Sequence, residues 1–384
     1  MVKAVGYAYP WDYQDDPAAA SRVAELGLDV VALAASYHAS RSVSPLHPSR
    51  RIREVDRSAL YVAVRAEAWW GRRLVPRAPA WGGHEDLFSQ ARDQLVAHGL
   101  KVHAWIVLTH DDDLGRTAPD LVVRNAFDDA YEYALCPSSP EVVEYCRTLA
   151  REVAALSACD GVVLEACGPM GVVHASQHDK VEFAQWNEAA TRLLSLCFCD
   201  ACRRGMSTAG VDVDELSRRV RDGVDDGATS VTQALGSPLC EEVARFRTDA
   251  TAHLRETVVR GLLEVNADVS ITVHASASEW ATGSFASLRG SGSLEGITSA
   301  VANCWDPLRG TQELADLREL TRGRCQVGGY LRLDSGWSDR AEVVQTLDRY
   351  RAVGLDEIHL YHLGLLSRSG LETLAQVADL ARKL

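Results

Sequence analysis

The sequence predicts a (β/α)8 TIM barrel with long βα-loop insertions. Short apolar segments typical of strands recur eight times along the chain, and amphipathic helical segments separate most of them. The strand segments are continuous apolar runs, as expected for a parallel sheet that is covered on both faces. Regular alternation of strand and helix over eight strands favours a closed barrel. An open, doubly wound sheet is the alternative.

In most repeats a helical segment ends at a glycine or a small polar residue and a strand follows at once, which predicts tight αβ loops. The segments that contain the predicted strands are 4–9, 24–34, 96–107, 156–166, 263–273, 296–303, 320–331 and 351–361. The predicted helices are 17–26, 85–98, 140–156, 239–265, 311–321, 339–352 and 370–383. The connection between the fifth and sixth strands has no clear helix.

The predicted insertions all follow strands rather than precede them. They span 39–84, 111–138, 166–237 and 275–295. The loops at the carboxyl ends of the strands form the face that carries the active site in nearly all barrel enzymes. We therefore expect one barrel domain over residues 1–384, with a functional site among these loops and a cysteine cluster in the insertion 166–237.

The composition excludes several classes of protein. The chain has 384 residues, is 47% apolar and 24% charged, and carries a formal net charge of −13. A nucleic-acid or anionic-lipid surface needs a basic footprint, so neither partner is expected. The sequence offers no membrane-spanning segment and no export signal, which predicts a cytoplasmic protein. A neutral small molecule or oligosaccharide is the expected substrate, and homo-oligomerisation stays open.

Residues at the predicted strand ends are the candidates for binding, because their side chains ring the barrel mouth. Aromatic side chains stack on sugar faces, whereas histidine, arginine and asparagine pair with hydroxyl groups. The predicted substrate-binding residues on this basis are Tyr37, His38, His110, His274, Trp305, Tyr330, Arg332 and His362.

Glu165 is the predicted general acid/base. It ends the apolar run DGVVLE, so its carboxyl group should be surrounded by apolar side chains that exclude water. Desolvation there would raise its pKa, as a general acid near neutrality requires. Glycosidic cleavage also needs a second carboxylate, for which Asp306, Asp334 and Glu279 are available. A buried glutamate paired with an arginine is the structural alternative for Glu165.

Two further clusters could bind substrate or metal. His174 and His178 lie four residues apart, the spacing that places two imidazoles on one helix face. We assign them to substrate contact, with metal binding or loop packing as alternatives. Cys197, Cys199 and Cys202 form a C-x-C-x-x-C run, and Cys136 lies upstream. Four thiols of this kind can close a tetrahedral zinc site, which would be structural because it leaves no open position. Four free thiols are the alternative.

These residues resemble a known enzyme family. The order CPSSPEV, a strand-end glutamate and CFCDAC is similar to that in the family 42 glycoside hydrolases, which are retaining β-galactosidase barrels. Phrases such as LCPSSPEVVEY and LSLCFCDAC are also similar to uncharacterised bacterial barrel proteins labelled glycosyl hydrolases. The resemblance implies the acid/base position for Glu165, and the zinc positions for the cysteines at 136, 197, 199 and 202.

The sequence departs from that family at two positions. Leu164 precedes Glu165, where the family has asparagine. The nucleophilic glutamate expected at the end of the seventh strand is absent, since GGYLRLD supplies Arg332 and Asp334 instead. An aspartate nucleophile, inversion through water and loss of activity all stay open.

The main hypothesis is a glycoside hydrolase acting on a neutral carbohydrate, with Glu165 as acid/base and Asp334 or Asp306 as its partner. A structural zinc ion is expected, and no organic cofactor. One alternative is a metal-dependent barrel enzyme that acts on a sugar-like molecule through Glu165, His174 and His178. Another is a barrel that binds a saccharide without turning it over.

Overall fold

Eight parallel strands close into a barrel in the computed structural model. The model describes residues 1–81, 86–173, 184–292, 294–333, 337 and 339–384. The barrel strands are β1 (Lys3–Ala8), β2 (Val30–Tyr37), β3 (Lys101–Val107), β4 (Gly161–Glu165), β5 (Ser270–Ser276), β6 (Ser299–Asn303), β7 (Gln326–Arg332) and β8 (Glu357–Tyr361). Each strand pairs with the next, and β8 pairs with β1, with Lys3 opposite Glu357. The predicted (β/α)8 barrel is confirmed, and the open sheet is excluded.

The continuous apolar runs form strands because both of their faces are covered. All eight residues of β2 and all five of β4 are buried. One face packs on the surrounding helices and the other fills the barrel. Gly161 at the start of β4 is required for this filling, because a Cβ atom there would lie 2.6 Å from the buried imidazole of His103.

The predicted helices are present with small changes at their ends. The described α-helices are α1 (Ala19–Ala24), α2 (Leu87–Ala97), α3 (Asp112–Thr117), α4 (Pro140–Leu156), α5 (Glu188–Leu194), α6 (Asp200–Thr208), α7 (Val213–Asp225), α8 (Val231–Leu235), α9 (Ser237–Val265), α10 (Pro307–Thr321), α11 (Arg340–Ala352) and α12 (Arg368–Arg382). Helix α10 begins at Pro307 rather than at 311, because Asp306 caps it through the backbone amides of Leu308 and Arg309.

The insertions lie at the carboxyl ends of the strands, as predicted. An antiparallel hairpin, Ser40–Val43 with Ile52–Val55, follows β2, and a second hairpin, Val122–Arg124 with Ala130–Leu135, precedes α4. Helices α5 to α8 fill the insertion after β4. Between β5 and β6 the described residues contain a short strand, Ala286–Ser287, and no α-helix, in agreement with the prediction.

Within the described ranges, every helix is too short or too polar to span a bilayer.

Candidate active site

Glu165 ends β4 at the mouth of the barrel, and its side chain is buried. Both of its carboxyl oxygens accept a hydrogen bond. The indole Nε1 of Trp105 in β3 donates to Oε2 at 2.8 Å, and the hydroxyl of Ser284 donates to Oε1 at 2.8 Å. These neutral donors hold the carboxyl group without supplying a positive charge. The ion pair with arginine that would make Glu165 purely structural is not among its described contacts.

This environment changes the acidity of Glu165. Burial raises its pKa from 4.5 to about 7, because a carboxylate loses its hydration inside the barrel. The hydrogen bonds from Ser284 and Trp105 lower the pKa, but by less than burial raises it. Close to neutral pH, Glu165 can therefore both hold a proton and release it, which is the property that a general acid/base requires.

Glu165 opens into a cleft of about 310 Å³. The cleft lies at the barrel mouth, where the sequence predicts the binding site. It is lined by Tyr37, His38, Trp105, Glu165, His274, Thr282, Ser284, Phe285, Asn303, Trp305, Tyr330 and Tyr361. Among these residues Glu165 is the only ionisable acid, and none is a lysine or an arginine. The described lining of the cleft is thus predominantly aromatic, with one carboxyl group and no lysine or arginine.

The aromatic walls are tied together by hydroxyl groups. The hydroxyl of Tyr9 bonds to that of Tyr37 at 3.1 Å and to that of Tyr361 at 3.2 Å. Burial raises the pKa of all three tyrosines, so they stay neutral and act as hydrogen-bonding groups. Trp305 is 37% exposed at the outer rim, with its ring 6.4 Å from that of Tyr330. A flat, partly apolar ligand can contact this surface.

Of the predicted binding residues, the structure brings Tyr37, His38, His274, Trp305 and Tyr330 into the cleft. Three other predicted residues lie around it. Arg332 is exposed, with its guanidinium 4.9 Å from the ring of Trp305 at the rim. His110 stacks on His38 at 4.2 Å. His362 lies behind the wall, 4.0 Å from the ring of Tyr9, and accepts a hydrogen bond from the amide of Gly364.

Of the three candidate partner carboxylates, Glu279 is exposed and borders a different cavity, so it does not line the cleft. Asp306 does not line the cleft, because its carboxylate caps α10. It therefore has a structural role at that helix, where the sequence pattern also allowed a catalytic one. Asp334, and the histidines predicted at 174 and 178, lie outside the described residues.

The sequence reasoning did not assign several residues that contact Glu165 or line the cleft. Neither Trp105 nor Ser284 is among the residues that the strand ends predict. A strand interior that alternates inward and outward could have indicated Trp105, which lies two residues before Val107, the partner of Glu165 in the β3–β4 register. No local signal marks Ser284, because a loop carries it back over the barrel mouth.

The four predicted cysteines gather into one cluster. The Sγ atoms of Cys136, Cys197, Cys199 and Cys202 all lie within 4.8 Å of one another, with Cys136 at 3.5 Å from Cys202 and 3.6 Å from Cys199. Four thiolates at about 2.3 Å from a tetrahedral zinc ion would be separated by about 3.8 Å. The donor set and its size therefore fit a four-coordinate metal ion.

The surroundings of the cluster also suit a negatively charged metal–thiolate centre. Backbone amides of Arg124 and Cys199 donate to the sulfur of Cys197, each at 3.4 Å. The side chain of Arg247 lines a cavity together with Cys136, Cys197 and Cys202. Its guanidinium lies 5.7 Å from the ring of Trp280. Trp280 belongs to the loop that carries Ser284. The cluster thus joins the insertion after β4 to the barrel, close to the loop that holds the carboxyl group of Glu165.

Solved structures of carbohydrate-active enzymes have the same architecture. The catalytic domain of a β-amylase from Paenibacillus polymyxa matches with a TM-score of 0.57 at 11% identity, over 99% of this chain and 98% of that one. A catalytic mutant of Gan42B, a GH42 β-galactosidase from G. stearothermophilus, gives 0.54 at 12% identity, over 100% of this chain and 57% of that one. This chain has the barrel fold of glycoside hydrolases. At these identities the likeness shows the fold alone.

The predicted resemblance to family 42 is thereby supported at the level of the barrel fold, and the four predicted cysteines form one cluster in this chain. A further match is α-L-fucosidase isoenzyme 2 from Paenibacillus thiaminolyticus, with a TM-score of 0.55 at 10% identity over 99% of this chain. The chain spans 49% of that fucosidase, about half its length. No protein-family model and no curated protein sequence matches the chain.

Proposed function

We propose that the protein is a glycoside hydrolase acting on a neutral carbohydrate, with Glu165 as its general acid/base. The observation that carries this proposal is a buried carboxyl group with a pKa of about 7, at the carboxyl ends of the barrel strands, in a cleft whose described lining is predominantly aromatic and contains no lysine or arginine. Protonated Glu165 would donate to the glycosidic oxygen as the bond breaks, so that the leaving group departs as an alcohol. Trp105 and Ser284 would keep the carboxyl group aimed at that oxygen.

The second carboxylate is assigned from the sequence. With Asp306 used as a helix cap, Asp334 at the end of the seventh-strand segment is the preferred partner. It would act either as the nucleophile or as the base that activates water. The separation of the two carboxyl groups distinguishes these mechanisms, since about 5–5.5 Å accompanies retention and about 6.5–9.5 Å accompanies inversion.

The cysteine cluster supports this function indirectly. Zinc bound by Cys136, Cys197, Cys199 and Cys202 would have no open coordination position, so it would act as a structural cross-link. The link would join the loop before α4 to the insertion after β4. In this way the metal would stabilise one side of the cleft without taking part in the reaction.

The direct test is hydrolysis of a panel of neutral aryl glycosides by the purified protein. We expect release of the phenol from at least one of them. Because the donor must carry its proton, kcat/KM should be highest below about pH 7 and fall as the pH rises through the pKa of Glu165. A rate that keeps rising above neutral pH would contradict the assignment of Glu165 as the proton donor.

Removal of the outer aromatic surface should weaken substrate binding. For Trp305→Ala we expect KM to rise about five- to tenfold, because the stacking area of one indole is lost, with a smaller change in kcat. Trp70→Ala is the matched control, since Trp70 is 90% exposed and does not line the cleft. Equal KM values for the two variants would remove Trp305 from the binding surface.

A barrel that binds saccharide without hydrolysing it is the second candidate. It is favoured by the single ionisable acid among the cleft-lining residues that the structure describes. Calorimetric affinity for a saccharide, with no product after prolonged incubation, would favour this candidate over the hydrolase.

A further inference from the structure

A chain of buried polar side chains runs inside the barrel from β8 to Glu165. Glu357 contacts His359, with 3.1 Å between Oε2 and Nε2. The hydroxyl of Tyr7 lies 3.0 Å from Nδ1 of His359 and 2.8 Å from Nε2 of His274. Nδ1 of His274 faces Oε2 of Glu165 at 3.6 Å. The interiors of such barrels are usually filled by branched apolar residues, so this polar chain calls for an explanation.

The end of the polar chain that is remote from the cleft carries a negative charge. The carboxylate of Glu357 accepts hydrogen bonds from Lys3 at 3.1 Å and from Ser299 at 2.8 Å, in addition to the contact with His359. Burial raises the pKa of Glu357, but the hydrogen bond and electrostatic interaction with His359, the charge of Lys3 and the hydrogen bond from Ser299 outweigh burial and bring it to about 2. Glu357 therefore stays ionised, and a carboxylate can only accept hydrogen bonds.

This charge fixes the position of each proton along the polar chain. Burial lowers the pKa of both histidines, so each is neutral and has one N–H group. Nε2 of His359 must donate to Glu357, which leaves its Nδ1 as an acceptor. The hydroxyl of Tyr7 donates to that Nδ1, and its oxygen then accepts from Nε2–H of His274. Nδ1 of His274 is consequently left without a proton, facing Glu165.

We propose that Glu357 sets the tautomer of His274 through His359 and Tyr7, and that the bare Nδ1 of His274 keeps the proton on Glu165. The separation of 3.6 Å is longer than a hydrogen bond, so the effect acts through space. A bare nitrogen presents negative partial charge, which disfavours a carboxylate beside it. An N–H group at the same place would favour the carboxylate. Glu357, His359, Tyr7 and His274 are thus positioning residues, and their importance for catalysis rests on the proposed function of Glu165.

Among the residues that the structure describes, the other titratable groups around the polar chain do not reverse this sign. Burial keeps the neighbouring phenols neutral and lowers the pKa of His103 to about 4, so that it is neutral as well. Arg332 lies outside, over Trp305. Besides His274, the described groups that interact electrostatically with Glu165 or Glu357 include Tyr7, Tyr37, Tyr330, Tyr361, His359, Lys3 and His103.

The first experiment determines the tautomers without any substrate. Protein labelled with ¹⁵N at histidine is examined by long-range ¹H–¹⁵N NMR near neutral pH, with His274→Gln and His359→Gln used for assignment. We expect both residues to be neutral, with the proton on Nε2. A proton on Nδ1 of His274, or a charged imidazolium there, would overturn the proposal.

The second experiment measures the ionisation of Glu165 by pH-difference infrared spectroscopy, with Glu165→Gln as the reference that identifies its carboxyl band. Tyr7→Phe removes the hydroxyl that joins the two histidines, so His274 can move its proton to Nδ1. We expect the midpoint of the Glu165 titration to fall by about one pH unit. Tyr61→Phe is the control, because Tyr61 is also buried but does not belong to the polar chain. In this variant the titration midpoint of Glu165 should match that of the wild type.

Glu357→Gln provides an independent variant that makes no contact with Glu165. It should shift the Glu165 midpoint in the same direction and change the NMR signals of His359. An unchanged midpoint in both Tyr7→Phe and Glu357→Gln would overturn the proposal, even if the protein hydrolyses glycosides. The expected midpoints in a protein that hydrolyses no glycoside would instead contradict the proposed function alone.

Discussion

Glu165→Gln is expected to lower kcat/KM for aryl glycosides by about 10²- to 10⁴-fold, the usual contribution of a general acid. The amide has nearly the same shape as the carboxyl group, and it can still contact Trp105 and Ser284, but it cannot transfer a proton. The loss should become smaller as the phenol becomes more acidic, because a good leaving group needs little protonation. The measurement is kcat/KM for a series of substituted phenyl glycosides.

Two controls separate loss of chemistry from loss of folding. Glu188→Gln makes the same chemical change on the exposed surface of α5 and should retain full activity. The second control is the free energy of unfolding. The pKa of Glu165 is higher in the folded state than in the unfolded state, so its ionisation destabilises the fold as the pH rises from about 4.5 to above 7.

At pH 8 the glutamine variant should therefore be as stable as the wild type or more stable, by at most about 3 kcal/mol. A variant that keeps most of the activity, or whose loss does not depend on the leaving group, would contradict the assignment of Glu165 as the acid.

Cys136→Ser is expected to abolish zinc binding and to destabilise the fold. Cys136 lies before α4, whereas the other three cysteines belong to the insertion after β4, so its loss would remove the metal cross-link proposed between these two parts. Binding of a structural metal contributes directly to folding free energy. We expect about one zinc per chain in the wild type and none in the variant, by elemental analysis, together with a fall in Tm of at least about 5 °C.

Cys146→Ser is the matched control, because Cys146 is a fully buried cysteine outside the cluster. It should keep its zinc even if it loses some stability. A strong chelator should lower the Tm of the wild type and of Cys146→Ser but leave that of Cys136→Ser unchanged. A wild-type protein that holds no zinc after purification in zinc-containing, reducing buffer would contradict the structural metal site.

The barrel was predictable because its signal is local. Each strand of a parallel barrel is buried on both faces and must be apolar throughout, and each helix carries an apolar stripe. The boundaries of α4 were predicted without error, since Pro140 is preferred at the first turn of a helix and Ser157 follows the apolar pattern. The position of Glu165 followed from the same rhythm, because it directly ends an apolar run.

The role of Asp306 was not predictable in the same way. An aspartate after a strand can face the barrel mouth or cap the helix that follows. The local sequence WDP is compatible with both, and the structure shows the second, with its carboxylate on the amides of Leu308 and Arg309. Pro307 after Asp306 favours the second role, because aspartate is a common N-cap residue and proline is common at the first helical position, but the direction in which the chain leaves β6 decides between the two.

The sequence alone determined the order of strands and helices, the face that carries the insertions, the dry strand end at Glu165 and the set of four thiols. Only the tertiary structure decided which groups surround that carboxyl group. Trp105, Ser284 and His274 come from three other places in the chain, and the path from Glu357 to His274 crosses the barrel interior. Periodicity records which residues are buried, whereas hydrogen-bond partners and the sign of the local field depend on distances across the closed barrel.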